Sequence, residues 1–261
     1  MRYYIKLTCS MALLFCIAGP ASAADLLAPE QAEVGTESGW TFAVAPYLWA
    51  TGLNGDVGVG GLPEVDVDLS FSDVLDHFDI GFMGAGEARY ERFGILTDLL
   101  YVKLSAHDDV NARFIDADID LTNQTLTTLG AFEYRMFESE GGSLDVLAGA
   151  RLWWVKTDLD FDGAIIDASG SDSETWVDPV VGLKGRINLS PEFYLAGWGM
   201  IGGFGVSSEF FWDAMGGLGY QVSDSFSLFA GYRGLSVDYK NDGFVFDVDM
   251  NGPLLGAVFT F

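Results

Sequence analysis

The chain has 261 residues, 49% apolar and 14% aromatic, and its 13 Lys and Arg face 38 Asp and Glu for a formal charge of -25. That length suits one large all-β domain or two small domains. So acidic a balance excludes nucleic acid as a partner, because phosphate binding needs basic patches, and 20 Phe, 10 Tyr and 7 Trp exclude a disordered acidic chain.

Residues 1–23 read as a secretory signal peptide. Arg2 and Lys6 form a basic start, residues 7–18 an apolar stretch, and Ala21-Ser22-Ala23 a small-residue cleavage site. The apolar stretch is too short to cross ~30 Å of hydrocarbon. Both cysteines, Cys9 and Cys16, lie inside it, so the processed chain would hold no disulfide. Residues 24–38, with Pro29, several acids and no periodicity, read as a flexible periplasmic leader. Residues 39–261 then form a single domain.

Within that domain no helical period persists, and stretches of ten or so residues alternate with period 2 between turn residues. Ten strands are expected near 39–50, 79–90, 94–106, 123–137, 143–157, 174–189, 192–203, 209–222, 225–239 and 244–261. Residues 65–69 also alternate and could pair with 56–60, as a hairpin above the membrane or as two further strands of a twelve-stranded wall. Residues 72–78 read as one helical turn capped by Ser72. Pro46 and Pro253 cannot donate to a ladder, so bulges are expected at both, and Pro253 coincides with a change of apolar parity.

Each strand opposes an apolar face to a polar one. Across 176–189, Val177, Val181, Leu183, Ile187 and Leu189 share one parity, and Asp178, Lys184, Arg186 and Asn188 the other. A soluble sandwich shows the same alternation. Three features favour a membrane barrel. Aromatics gather towards strand ends (Trp40, Trp49, Tyr90, Tyr101, Trp153, Trp154, Trp176, Tyr220 and Tyr232), as interfacial girdles require. Gly fills many other strand positions. Short connections at 90–93, 138–142, 188–192 and 221–225 alternate with longer acidic ones at 51–79, 106–123, 157–175, 203–209 and 239–243. The expected fold is therefore all-β, a closed antiparallel up-and-down transmembrane barrel of about ten strands.

The chain ends Gly256-Ala-Val-Phe259-Thr-Phe261, with Leu255, Ala257, Phe259 and Phe261 on one face. This ending resembles the terminal-strand insertion signal of bacterial outer-membrane proteins, built here on Gly256, Phe259 and Phe261. It departs from that pattern at Leu254, where a polar residue is usual. The run Trp40-Thr-Phe-Ala-Val-Ala-Pro-Tyr-Leu-Trp49, with Phe71-Ser-Asp-Val-Leu-Asp76 further on, is similar to a group of small, porin-like proteobacterial outer-membrane β-barrel proteins. The resemblance covers most of residues 39–261 and implies an outer-membrane location and no catalytic residues. It also implies as partners outer-membrane lipid and lipopolysaccharide, the barrel-assembly machinery and periplasmic chaperones.

Parity points Glu87, Arg89, Glu133, Arg135, Arg151, Asp178, Lys184, Arg186, Asp213 and Arg233 into the lumen. There they either line a wet pore or pair across it as a polar plug. On the pore reading Lys184→Gln would leave folding intact and alter ion selectivity. Two histidines, His77 and His107, lie in external loops beside Asp76, Asp108 and Asp109. They support an alternative reading, a hydrolase at the barrel mouth, and a simpler one, solvated loop side chains. Asp158-Leu-Asp160-Phe-Asp162-Gly163 resembles the start of a calcium loop but has Ser169 at its twelfth position. Weak divalent-cation binding at the acidic loops is the most it implies. No phosphate loop, His/Cys cluster or nucleophile elbow appears in the sequence, and no cofactor is expected. The leading expectation is a structural barrel or a narrow passive pore for ions and small solutes.

Overall fold

A computed structural model describes residues 39–58, 65–112, 115–163 and 167–261; the expected signal peptide and leader lie outside the described residues. In chain order the elements are β1 (Trp40–Trp49), β2 (Gly52–Gly58), β3 (Val65–Leu69), α1 (Phe71–Asp76), β4 (Phe78–Tyr90), β5 (Phe93–Ala112), β6 (Ile115–Ser139), β7 (Gly142–Gly163), β8 (Asp167–Asn188), β9 (Phe193–Gly202), β10 (Phe210–Ser223), β11 (Phe226–Asn241) and β12 (Phe244–Thr260). From β4 to β12 each strand pairs antiparallel with the next, and β1 pairs with both β4 and β12. The result is a closed barrel of ten strands. Closure satisfies the wall's backbone groups without an edge, which is what hydrocarbon demands of a sheet.

The β2–β3 hairpin belongs to the outer end. β12 carries it from Val245↔Gly58 to Asn251↔Gly52, then changes partner and pairs with β1 from Leu254↔Trp49 to Thr260↔Ala43. The two extra strands therefore do not cross the bilayer. At the branch, a Cβ on Gly252 would lie 1.9 Å from the Ala50 carbonyl oxygen, so only glycine lets the chains part there.

Four sequence expectations are corrected by this arrangement. Neither proline makes a bulge. Tyr232↔Pro253 keeps the register of its ladder, and Pro46↔Gly84 keeps its own. Pro253 sits where β12 changes partner, with its carbonyl accepting from Ala50 N at 2.9 Å, so its missing N–H breaks no ladder. Nor does the change of apolar parity at Pro253 exchange the two faces of β12. Even-numbered residues face inward throughout, and what changes is whether the outer face meets water (Asp249, Asn251) or lipid (Leu255, Phe259). Residues 106–112, 115–123, 157–163 and 167–175, expected as loops, extend the strands, with ladders such as Asp120↔Asp160 and Leu159↔Gly170. The period of two in fact persists there, as in Ile115-Asp-Ala-Asp-Ile-Asp-Leu121 and Asp158-Leu-Asp-Phe-Asp162, and the acid-rich composition made these stretches read as loops.

The fourth correction is the helix cap. Ser70 caps α1: its Oγ accepts from Asp73 N at 3.3 Å while Asp73 Oδ2 accepts from Ser70 N at 2.9 Å. This is a reciprocal capping box two residues ahead of the expected Ser72.

Candidate functional site

The outer wall is apolar. Leu48, Phe82, Val181, Leu183, Ile187, Leu218, Leu228 and Leu255 are all exposed, an arrangement that a bilayer stabilises and water does not. At the rim formed by the short turns, aromatics pair as an interfacial girdle: Trp40–Tyr90 at 5.5 Å, Phe93–Tyr134 at 5.4 Å and Phe193–Tyr220 at 5.1 Å. Trp49, Trp153 and Trp176, expected in such girdles, instead point inward and are buried. The alternation is the reason. All three share the parity of inward neighbours, and position near a strand end does not outweigh it.

The interior is built in layers. Nearest the short turns, Arg89 Nε lies 2.8 Å from Glu87 Oε1, and its Nη2 reaches Glu133 Oε2 at 2.8 Å and Asp145 Oδ2 at 3.0 Å. Lys184 Nζ bridges Glu87 Oε2 at 2.5 Å and Glu133 Oε1 at 2.8 Å. Arg135 Nε holds Asp145 Oδ1 at 3.0 Å. Arg186 stacks 3.6 Å above the Tyr194 ring and donates to Asn188 Oδ1 at 2.7 Å. The Tyr194 ring itself lies over Gly219, whose Cβ would meet it at 1.9 Å.

The next layer spans the barrel. Arg233 Nη2 binds Asp98 Oδ2 at 2.6 Å and Asp213 Oδ2 at 2.7 Å. Its Nη1 donates to Tyr47 Oη at 2.6 Å, and Tyr47 in turn donates to Asp98 Oδ1 at 2.6 Å. Arg151 Nη2 adds 2.5 Å to Asp213 Oδ2, and Trp198 Nε1 donates to Asp213 Oδ1 at 3.1 Å. Arg151, Arg233 and Asp213 are all 0% exposed. Above them Asp178 accepts from Ser208 N at 2.8 Å, Ser208 Oγ at 2.6 Å and Trp176 Nε1 at 3.2 Å. An aromatic cluster lies beyond them towards the outer end. Trp176 lies between Tyr239 at 3.9 Å and Trp153 at 5.7 Å, with Phe211, Phe244 and Phe246 around them.

All ten residues that parity pointed inward are buried in this interior. Tyr47, Asp98, Asp145 and Trp198 complete the layers and were not in that set. Asp98 shares parity with the buried Leu96 and Leu100, so its strand showed no polar face to betray it. Asp145 does share parity with Arg151, which is a signal, but a single acid four residues from a turn reads equally well as rim. Between the charged layers a cavity of about 30 Å³ remains, lined by Ala45, Tyr47, Lys184, Trp198, Met215 and Val258 among others. That is room for one or two waters at most.

The other candidate positions are not brought together. His77 ends α1, with Nδ1 2.7 Å from the Asp73 carbonyl oxygen. The side chains of Asp76, His107, Asp108 and Asp109 lie outside the described residues. Asp158 is held by Lys156 Nζ at 2.6 Å and Ser171 Oγ at 2.5 Å in the β7–β8 ladder, so that stretch is a strand rather than a calcium loop. Among the described residues no group of three or more His, Cys, Asp or Glu is placed to hold a metal ion.

No family model matches the chain, and no curated protein matches it. Solved structures do. The outer membrane protease OmpT from Escherichia coli is similar at TM-score 0.54 and 11% identity, covering 88% of this chain and 99% of that one. The translocator domain of the autotransporter NalP from Neisseria meningitidis aligns at TM-score 0.47 and 13% identity, over 84% and 88% of the two chains. At these identities the likeness is one of fold. The likeness to OmpT is that of a closed β-barrel fold, and the apolar outer belt suits a barrel set in a bilayer.

Proposed function

We propose that the chain is a closed outer-membrane barrel with a structural role, its lumen filled by side chains rather than conducting. The observation that carries this reading is the Asp98–Arg233–Asp213–Arg151 layer. It joins β5, β11, β10 and β7 across the interior, with every member buried. A wet pore lined by charges would leave them hydrated and apart. Here each carboxylate has cationic or hydrogen-bonding partners, and the aromatic cluster lies above them.

On this reading the chain is non-enzymatic. Fold likeness to a protease does not transfer a site, and His77, the histidine whose side chain is described, has its Nδ1 2.7 Å from the Asp73 carbonyl oxygen. The partners are lipid and lipopolysaccharide around the belt, periplasmic chaperones and the barrel-assembly machinery at the β12 end, and divalent cations screening the acidic loops. Planar-bilayer recording of the refolded full-length barrel tests the proposal. No reproducible unitary steps are expected from the wild type, and Arg233→Ala should give them if removing the central cation opens the layer. Stable ion-selective steps from the wild type would establish the pore reading instead.

A further inference from the structure

The β9–β10 loop is built to a stiffer specification than a surface connection needs. Gly203, Phe204 and Gly205 have φ of 83°, 52° and 71°. A bulky residue rarely adopts that left-handed region, and it persists only where surroundings over-determine it. The surroundings are on the inner side. Ser208 N and Oγ donate to the buried Asp178, Ser207 Oγ donates to the Val177 carbonyl at 2.9 Å, and Gly203 N donates to the Pro179 carbonyl at 3.2 Å. What this anchoring presents outward is apolar: Phe204 is 51% exposed and Val206 69%. Among the described residues nothing covers the exposed part of either side chain.

The position of the loop indicates what does. β9 stops at Gly202, paired with Val180, whereas β8 continues thirteen residues further out, to Asp167. β9 therefore ends well below the top of its neighbour β8. Elsewhere the upper edge of the apolar belt is made by strand residues, among them Ile80, Val177, Tyr232 and Leu48, all exposed outward. Continuing the β8–β9 register places Gly205 level with Val177. The loop thus stands at the height where the belt would otherwise be missing, between Val177 and the exposed Phe210.

We propose that the β9–β10 loop is a lipid anchor, with Phe204 and Val206 seated in the acyl region of the outer leaflet and completing the apolar belt where β9 ends. This rests on the outer-membrane reading, and the test separates the two. Single cysteines would be placed at Phe204, Val206, Val181 and Asp242 of the cysteine-free processed chain. Each is labelled with an environment-sensitive fluorophore and refolded into vesicles of phosphatidylcholine, with or without brominated acyl chains. Val181 reports the membrane wall, and Asp242 the aqueous β11–β12 turn. Bromolipid quenching at 204 and 206 within about twofold of that at 181, with iodide access at least threefold below that at 242, is the expected result. Quenching at 181 but not at 204 or 206, with iodide access equal to 242, would overturn the anchor alone. Absence of quenching at 181 as well would overturn the membrane barrel and the anchor with it. Heat-modifiable mobility in gels confirms that each labelled protein is folded before it is read.

Discussion

At the scale of single residues, the two faces of β8 make opposite demands. Val181 is exposed on the outer wall and Lys184, three positions on, is buried against Glu87 and Glu133. Val181→Arg should cost roughly 2–4 kcal/mol if it lies near the bilayer midplane, measured as a shift in the urea midpoint of the barrel in vesicles. The expectation that Lys184→Gln leaves folding intact does not survive the ion pairs. Removing one cation from a buried network leaves carboxylates uncompensated, at a cost of about 3–5 kcal/mol. Lys184→Gln with Glu87→Gln should recover part of that loss, and urea titration of the single and double variants checks it. Additive losses would show that Lys184 and Glu87 are not coupled.

At the scale of elements, α1 and β12 are the two whose ends matter. Ser70 bonds hold the Asp73 carboxyl below its ordinary range. A depressed carboxylate contributes stability above its unfolded pKa and loses it as pH falls through the folded value. The cap of α1 should therefore hold at neutral pH and fray below about pH 4. The measurement is the protection factor of the Val74 amide, which should drop at acid pH in the wild type and be low already at neutral pH, with no further drop in acid, in Ser70→Ala. β12 closes the barrel, and the seam extends to its end: Phe261 N donates to the Phe42 carbonyl at 2.9 Å, with the return bond from Phe42 N at 3.3 Å. Deleting Phe261 should lower the folded outer-membrane yield, read by surface labelling and heat-modifiable mobility. Equal yields would mean that neither the seam nor the insertion machinery uses that residue.

Across the whole molecule charge is strongly segregated. Inside, acids and bases pair in layers. Outside, the long hairpins carry acids almost alone, and the register sets Asp118 opposite Asp162 and Asp120 opposite Asp160. Like charges crowded on one hairpin repel, and salt shortens the reach of that repulsion from about 30 Å at 0.01 M to about 10 Å at 0.1 M. Backbone amides of 115–123 and 157–163 should exchange more slowly at 0.3 M than at 0.01 M NaCl. Those of the buried layers, such as Arg151 and Arg233, should not respond. A uniform response would mean that the charges outside and inside are not separated as the fold has them.

The sequence by itself determined the ten-stranded alternation, the side on which each connection lies and the face on which ten charged residues stand. Each of these follows from a period of two along one strand, and a wall with lipid on one side enforces that period residue by residue. Only the tertiary structure decided what the inward charges do. Arg233 meets Asp98 across 135 positions of sequence, at 2.6 Å, and no local pattern encodes which strand curls round to face which. Trp49, Trp153 and Trp176 differ from that case, because their parity with inward neighbours already encoded a place in the core. Pairing between strands also decided the hairpins above the bilayer, whose alternating acids at 115–121 and 158–162 read equally as strand or as acidic loop until the ladders pair them.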